Sequence, residues 1–109
     1  METRIWNHNN GRAYEEFDVL YNNGRYLVIR NRETGLISFG GADCFNSFYG
    51  FPVNQSCLAT DEALKELDRW IEIDKSPEFQ KYHDLCKKAY GITPIDQWNQ
   101  MKSAIKTHC

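Results

Sequence analysis

The sequence predicts an α+β domain in which an N-terminal antiparallel β-meander of three strands, with room for a fourth, packs against three C-terminal α-helices. Three observations carry this expectation. Residues 14–40 alternate apolar and polar side chains around an Asn-Gly pair. Residues 60–109 place apolar side chains at helical spacing in three successive blocks. Ser76-Pro77 and Gly91 with Thr93-Pro94 separate those blocks. The 109 residues suit one domain, divided into a meander (1–41), an aromatic connector (42–59) and a three-helix unit (60–109).

The extra strand would be Arg4-Ile5-Trp6. The meander proper begins with EFDVLY and YLVIRN on either side of NNGR. Asn-Gly favours a two-residue hairpin turn because both turn positions take positive φ. With Asn23-Gly24 as that turn, Tyr21 faces Tyr26, Val19 faces Val28 and Phe17 faces Arg30. RETG then leads into LISFG with Gly35 left-handed, so that Asn31 faces Leu36, Arg30 faces Ile37 and Val28 faces Phe39. One sheet face reads Phe17, Val19, Tyr21, Tyr26, Val28, Ile37 and Phe39, broken by Arg30. The other reads Leu20, Leu27, Ile29 and Leu36, broken by Glu16, Asp18 and Ser38. The first is the better core, and the second is too apolar for a plain solvent face.

The connector contains ADCFNSFYGFP. Asp43 and Gly50 can bound one helical turn there, so that two or three of the rings Phe45, Phe48 and Tyr49 point the same way. Phe48 and Phe51 are expected to plug the join between sheet and helices. Tyr49, whose hydroxyl needs a partner or water, is expected at the surface.

In the first helix, Thr60 is the expected cap, Asp61 and Glu62 suit the positive end of the dipole, and Leu64, Leu67, Trp70 and Ile71 form the stripe. The second starts at Ser76-Pro77, carries Phe79, Tyr82, Leu85, Cys86, Ala89 and Tyr90, and ends at Gly91. The third starts at Thr93-Pro94, carries Ile95, Trp98, Met101 and Ile105, and has Lys106 and His108 in its last turn.

Composition narrows the function. Hydrophobic residues are 41% and aromatic residues 14%, which excludes a disordered chain. The net charge of −2 provides no overall basic field for nucleic acid. Nothing approaches the roughly 20 apolar residues that span a bilayer, and METRIWNHNNGR lacks the apolar stretch of a secretory signal, so a cytoplasmic protein is expected. Free thiols are then expected for Cys44, Cys57, Cys86 and Cys109.

Motifs of catalysis are missing. There is no Gly-x-Ser-x-Gly, phosphate loop or dinucleotide fingerprint. His83 and Cys86 share one side of a helix, but zinc needs about four ligands and no Cys-x-x-Cys accompanies them. No catalytic residue, metal or cofactor is therefore expected.

Binding fits more features. Two apolar sheet faces, an aromatic connector and several arginines exceed what one small core needs, and Tyr, Trp and Arg carry interface hot spots. The expected contact residues are Phe45, Tyr49, Tyr21, Tyr26, Arg25, Arg30 and Arg32. The expected function is stoichiometric, non-enzymatic binding to a protein or a protein–nucleic acid complex. Lone domains of this size without cofactor sites are typical of phages and mobile elements, whose inhibitors of host defence include anti-CRISPR proteins; such an inhibitor works in the host-cell cytoplasm. The alternative is a small DNA-binding regulator. LCKKAYGITPIDQWNQMK resembles a helix-turn-helix in its short Gly-containing turn, and Gln97, Asn99, Gln100, Lys102 and Lys106 would contact bases or phosphates. A homodimer through the Leu20, Leu27, Ile29 and Leu36 face is a further option.

Overall fold

All four strands form, and their pairing departs from the simple alternation at one residue. The computed structural model describes residues 2–8, 13–41 and 58–108, with the backbone alone for 6–8, 13 and 14. The strands are β1 (Thr3–His8), β2 (Ala13–Asn22), β3 (Tyr26–Asn31) and β4 (Ile37–Gly41), in sheet order β1-β2-β3-β4 with every neighbour antiparallel. Among the described residues three helices follow: α1 (Thr60–Asp74), α2 (Gln80–Tyr90) and α3 (Pro94–His108). The α+β arrangement is the one the sequence predicts.

The β2–β3 register corrects the expected one. Asn22 pairs with Leu27 and Tyr21 with Val28, but Val19 pairs with Ile29, Asp18 with Arg30 and Phe17 with Asn31. The turn is longer than two residues because the asparagine side chains build it. Asn22 Oδ1 accepts from the Gly24 amide at 2.9 Å, and Asn23 Oδ1 accepts from the Arg25 and Tyr26 amides at 2.9 and 2.8 Å. Gly24 at the tip takes positive φ, at 85°. Leu20 is then the extra residue of a bulge between Val19 and Tyr21.

That bulge exchanges the two faces of β2. Leu20 joins Val28, Ile37 and Phe39 in the cluster that faces the helices, whereas Phe17 and Val19 join Leu27 and Ile29 in a second buried cluster. It also moves a charge. Asp18 comes opposite Arg30 and pairs with it at 3.3 Å, and the same guanidinium donates to the His108 carbonyl oxygen at the end of α3. The arginine that interrupts the core face is thus neutralised on that face. The β3–β4 turn follows expectation: Arg30 pairs with Ile37, Val28 with Phe39, and Gly35 has φ 75°. Asn31 Oδ1 accepts from the Glu33 and Thr34 amides, an Asx turn that leads the chain round. At the end of the connector the chain returns beside β4, where Ile37 and Leu58 exchange two 2.8 Å backbone bonds.

The main core lies between the sheet and α1 with α3. Ala63, Leu67 and Ile71 of α1 meet Trp98, Met101 and Ile105 of α3 over Leu20, Val28, Ile37 and Phe39. Four rings run through it edge to face, each 5.1 Å from the next: Phe39, Trp70, Trp98 and Tyr26. Carboxylates of α1 satisfy both indoles. Trp70 Nε1 donates to Glu66 Oε1 at 3.0 Å and Trp98 Nε1 donates to Asp74 Oδ2 at 2.5 Å.

The helix ends are mixed. Thr60 is the first residue of α1 rather than its cap: Ala59 occupies the cap position and no side chain bonds there. In α3, Thr93 Oγ1 accepts from the Asp96 amide and Asp96 Oδ2 accepts from the Thr93 amide, a reciprocal capping box. Gly91 closes α2 with φ 76° and donates to the Lys87 carbonyl at 2.8 Å. Pro77–Phe79 forms a 3₁₀ turn before α2. Among the described residues no helix is long and apolar enough to cross a membrane.

Candidate functional site

The second helix is where the expected stripe and the observed burial part. His83 and Cys86 are its buried residues, whereas Tyr82, Leu85 and Tyr90 are 52%, 58% and 60% exposed. This corrects the expectation that Tyr82, Leu85, Ala89 and Tyr90 form the core stripe. The reason is geometric. The sheet's helix-facing side is filled by α1 and α3, so α2 lies outside that layer and meets the rest of the molecule along one narrow line.

Tyr82, Leu85 and Ala89 therefore form an exposed apolar strip at i, i+3 and i+7 spacing. Lys81 and Lys88 lie four residues before and three after Leu85, on the same flank. Both are exposed, as is Lys87, and none of the three forms an ion pair with a described residue. The β2–β3 hairpin adds a fourth cation. Arg25 lies 4.2 Å from the centre of the Tyr90 ring and 5.8 Å from that of Tyr26, a cation–π bridge from hairpin to helix. The Cys86 thiol, through its hydrogen bond with the hydroxyl, pushes the Tyr82 pKa above the ordinary tyrosine range.

Beside this strip, where hairpin, α1, α2 and α3 converge, is a cleft of about 200 Å³. Tyr26, Tyr82 and Trp98 give it aromatic walls, and Gln97, Asp74 and Arg25 give it polar groups. Gln97 is 2% exposed, and among the described residues its Oε1 has no hydrogen-bond partner; His83 Nε2 shares that condition.

The other sequence-predicted residues are placed as follows. Tyr21 is half-buried against the core, and its hydroxyl donates to Gln100 Oε1 at 2.8 Å. Arg30 is bound to Asp18 and His108, and Arg32 lies 3.4 Å from Asp18 and 3.6 Å from Glu16. Arg25 and Tyr26 thus meet at the cleft, while Arg30 and Arg32 belong to a separate ionic cluster with β2. Phe45 and Tyr49, with Phe48 and Phe51, lie outside the described residues. On α3, Gln97 is buried, Gln100 accepts from Tyr21 and Lys102 pairs with Asp68, which leaves Asn99 and Lys106 exposed and unengaged among the described residues. Among the described residues no group of three His, Cys, Asp or Glu side chains could hold a metal ion.

Sequence reasoning puts Leu85 on the core stripe and gives Lys81 and Lys88 no role, because an amphipathic stripe says which residues share a face, not which face finds a layer. Compared with protein families, curated proteins and solved structures, the chain matches none.

Proposed function

We propose that the protein is a non-enzymatic binding protein that forms a stoichiometric complex by docking an acidic, amphipathic surface of another protein onto α2. The observation that carries this reading is the exposed strip of Tyr82, Leu85 and Ala89 beside Lys81 and Lys88, neither of which forms an ion pair with a described residue. A partner helix with apolar side chains along one stripe and carboxylates next to it meets both features at once. An isolated lysine on a helix is a solvated charge; two lysines flanking an exposed leucine supply charge complementarity around a desolvated centre. Occupying an effector surface in this way inhibits without chemistry, the mode expected of an inhibitor of a host defence complex. The DNA-binding alternative on α3 draws less support, because Gln97, Gln100 and Lys102 are engaged or buried within the domain.

The test is affinity capture from the native cell with the wild type, Leu85→Asp and the double variant Lys81→Glu/Lys88→Glu. These side chains are exposed, so all three proteins should share one circular-dichroism spectrum. The expected result is a protein retained by the wild type at a one-to-one ratio, crosslinked to α2 through an acidic segment, and lost with both variants. Added salt should weaken that complex. Retention of nothing by the wild type, or equal retention by all three, overturns the reading.

A further inference from the structure

We infer that β1 is the interface of a symmetric dimer: a second copy of the chain adds its own β1 antiparallel to this edge, with Ile5 opposite Ile5 on the twofold axis. Among the described residues β1 ends the sheet, and no strand pairs with its outer side. The opposite edge differs, because Leu58 already bonds to Ile37 of β4 and that strand ends in Gly40-Gly41. Proteins blunt an open edge with lysine, proline, a bulge or a covering segment. TRIWNH has no lysine or proline, and it pairs with β2 without a break in register. Ile5, near its middle, is 52% exposed.

Two bonds fix which backbone groups of β1 point outward. The Val19 amide donates to the Glu2 carbonyl at 2.8 Å, and the Arg32 amide donates to the Glu16 carbonyl at 2.9 Å. Val19 stands opposite Glu2 when the β1–β2 register is extended by one residue, so theirs is a hydrogen-bonded pair. Bonded and non-bonded pairs alternate along an antiparallel ladder. Arg4, Trp6 and His8 therefore turn their N–H and C=O groups toward β2, and Thr3, Ile5 and Asn7 turn theirs away. The second bond agrees. Glu16, opposite Ile5, gives its carbonyl to Arg32 on the β3 side and leaves Ile5 unbonded to β2.

This alternation restricts the register with a second copy. Outward groups must meet outward groups, so Ile5 falls opposite the partner's Thr3, Ile5 or Asn7. Against Thr3, the strand leaves Asn7 out and sets Arg4 across from Arg4, and like charges directly opposed are unfavourable. Against Asn7, it leaves Thr3 out and sets Ile5 across from a polar residue. Against Ile5, all three outward residues are engaged: Thr3 and Asn7 exchange backbone bonds on either side of the central pair. Glu2 then lies across from the partner's His8 and Arg4 across from its Trp6, so an acid meets a histidine and no like charges are opposed. The exposed isoleucines meet at the axis. Such an interface is isologous and closes on itself. Its axis stands perpendicular to the sheet, so two four-stranded sheets join into one with both helix layers on the same side.

The interface uses no residue of α2, so it stands or falls apart from the protein complex proposed above. The test is the association state of the whole chain, by sedimentation velocity from micromolar to millimolar concentration. A reversible dimer is expected of the wild type. Ile5→Pro removes the outward N–H at the axis, a place where an edge strand tolerates proline. Ile5→Lys sets two ammonium groups against each other there. Each should weaken dimerisation by about tenfold or more. Each should leave urea resistance unchanged at concentrations where the wild type is monomeric; Ile5→Lys decides alone if the proline variant unfolds. Leu85→Asp, on α2, should dimerise as the wild type does. Isotope-filtered NMR on mixed labelled and unlabelled protein reads the register. Non-bonded pairs bring the α-carbons closest, so a contact between the Arg4 Hα and that of the partner's Trp6 is expected. A wild type that stays monomeric throughout, a dimer that survives the Ile5 substitutions or is lost with Leu85→Asp, or an interface contact of Arg4 with Arg4 or Trp6 with Trp6, overturns the inference.

Discussion

Tyr21 shows how one side chain ties the sheet to the third helix. Its ring packs on the core and its hydroxyl donates to Gln100 Oε1 at 2.8 Å. Burial raises its pKa, an effect the Asn23 side chain partly offsets. The folded protein thus holds the phenolic proton more tightly than the unfolded chain does. The resulting stability is fully present below the unfolded value of about 10 and is lost as pH rises through the higher folded value. Tyr21→Phe should cost about 0.5–1.5 kcal/mol at neutral pH for the lost hydrogen bond. It should also flatten the loss of stability above pH 10 or so. Urea unfolding of both proteins across that range, with tyrosinate absorbance as the titration, measures both effects; parallel pH curves would remove Tyr21 from the account. At this scale apolar residues were easier to read than polar ones. Ile95, Trp98, Met101 and Ile105 announce the inner side of α3 by spacing, whereas nothing marks Gln97 and His83 as buried, because polarity argues for the surface unless a neighbour is known.

The second strand makes the same point for an element. Alternation from Asn-Gly outward assigns Phe17 and Val19 to the helix-facing side, and one inserted residue sends them to the other. The turn signal was sound as to place and wrong as to length, since Asn22 and Asn23 replace the backbone bonds of a tight turn with side-chain ones. No local pattern reveals a bulge in a strand that is apolar on both sides. Its position does make a prediction. Deleting Leu20 leaves Tyr21 opposite Val28 and Val19 opposite Ile29, so the sheet keeps its pairing and the core loses one leucine. The variant should fold, less stable by about 2–5 kcal/mol, the range for deleting a large buried side chain. Deleting Phe17 instead would move Asp18 and Val19 by one place and reverse their faces. A native-like NMR spectrum for the Leu20 deletion, with its Tyr21–Val28 cross-strand contacts retained, is the result to look for; loss of those contacts would mean that Leu20 sets the register rather than interrupting it.

Across the whole molecule, the main core and the exposed apolar strip lie on different helices. Sheet, α1 and α3 share a core of residues almost closed to solvent, among them Val28, Ile37, Leu67, Met101 and Ile105. The helix α2 contributes none of them, burying only His83 and Cys86 among its residues and reaching the hairpin through Arg25 and Tyr90. The order of strands and helices was legible because propensity and breakers are local. That division was not, because it depends on how much sheet surface the other two helices occupy. Elements with few buried apolar contacts open at lower free energy than the core does. The amides of α2 should therefore exchange with deuterium through a partial opening, faster than those of α1 and α3, which should exchange only near global unfolding. Arg25→Ala removes a cation–π contact of about 0.5–1 kcal/mol at an exposed site. It should speed exchange in α2 severalfold and leave α1 and α3 unchanged. A partner docked on Tyr82 and Leu85 should slow it again. Mass spectrometry of peptides from the three helices reads these rates directly. Equal protection of α2 and α1 would mean that the second helix is part of the cooperative core, and its exposed strip would then need a structural explanation instead.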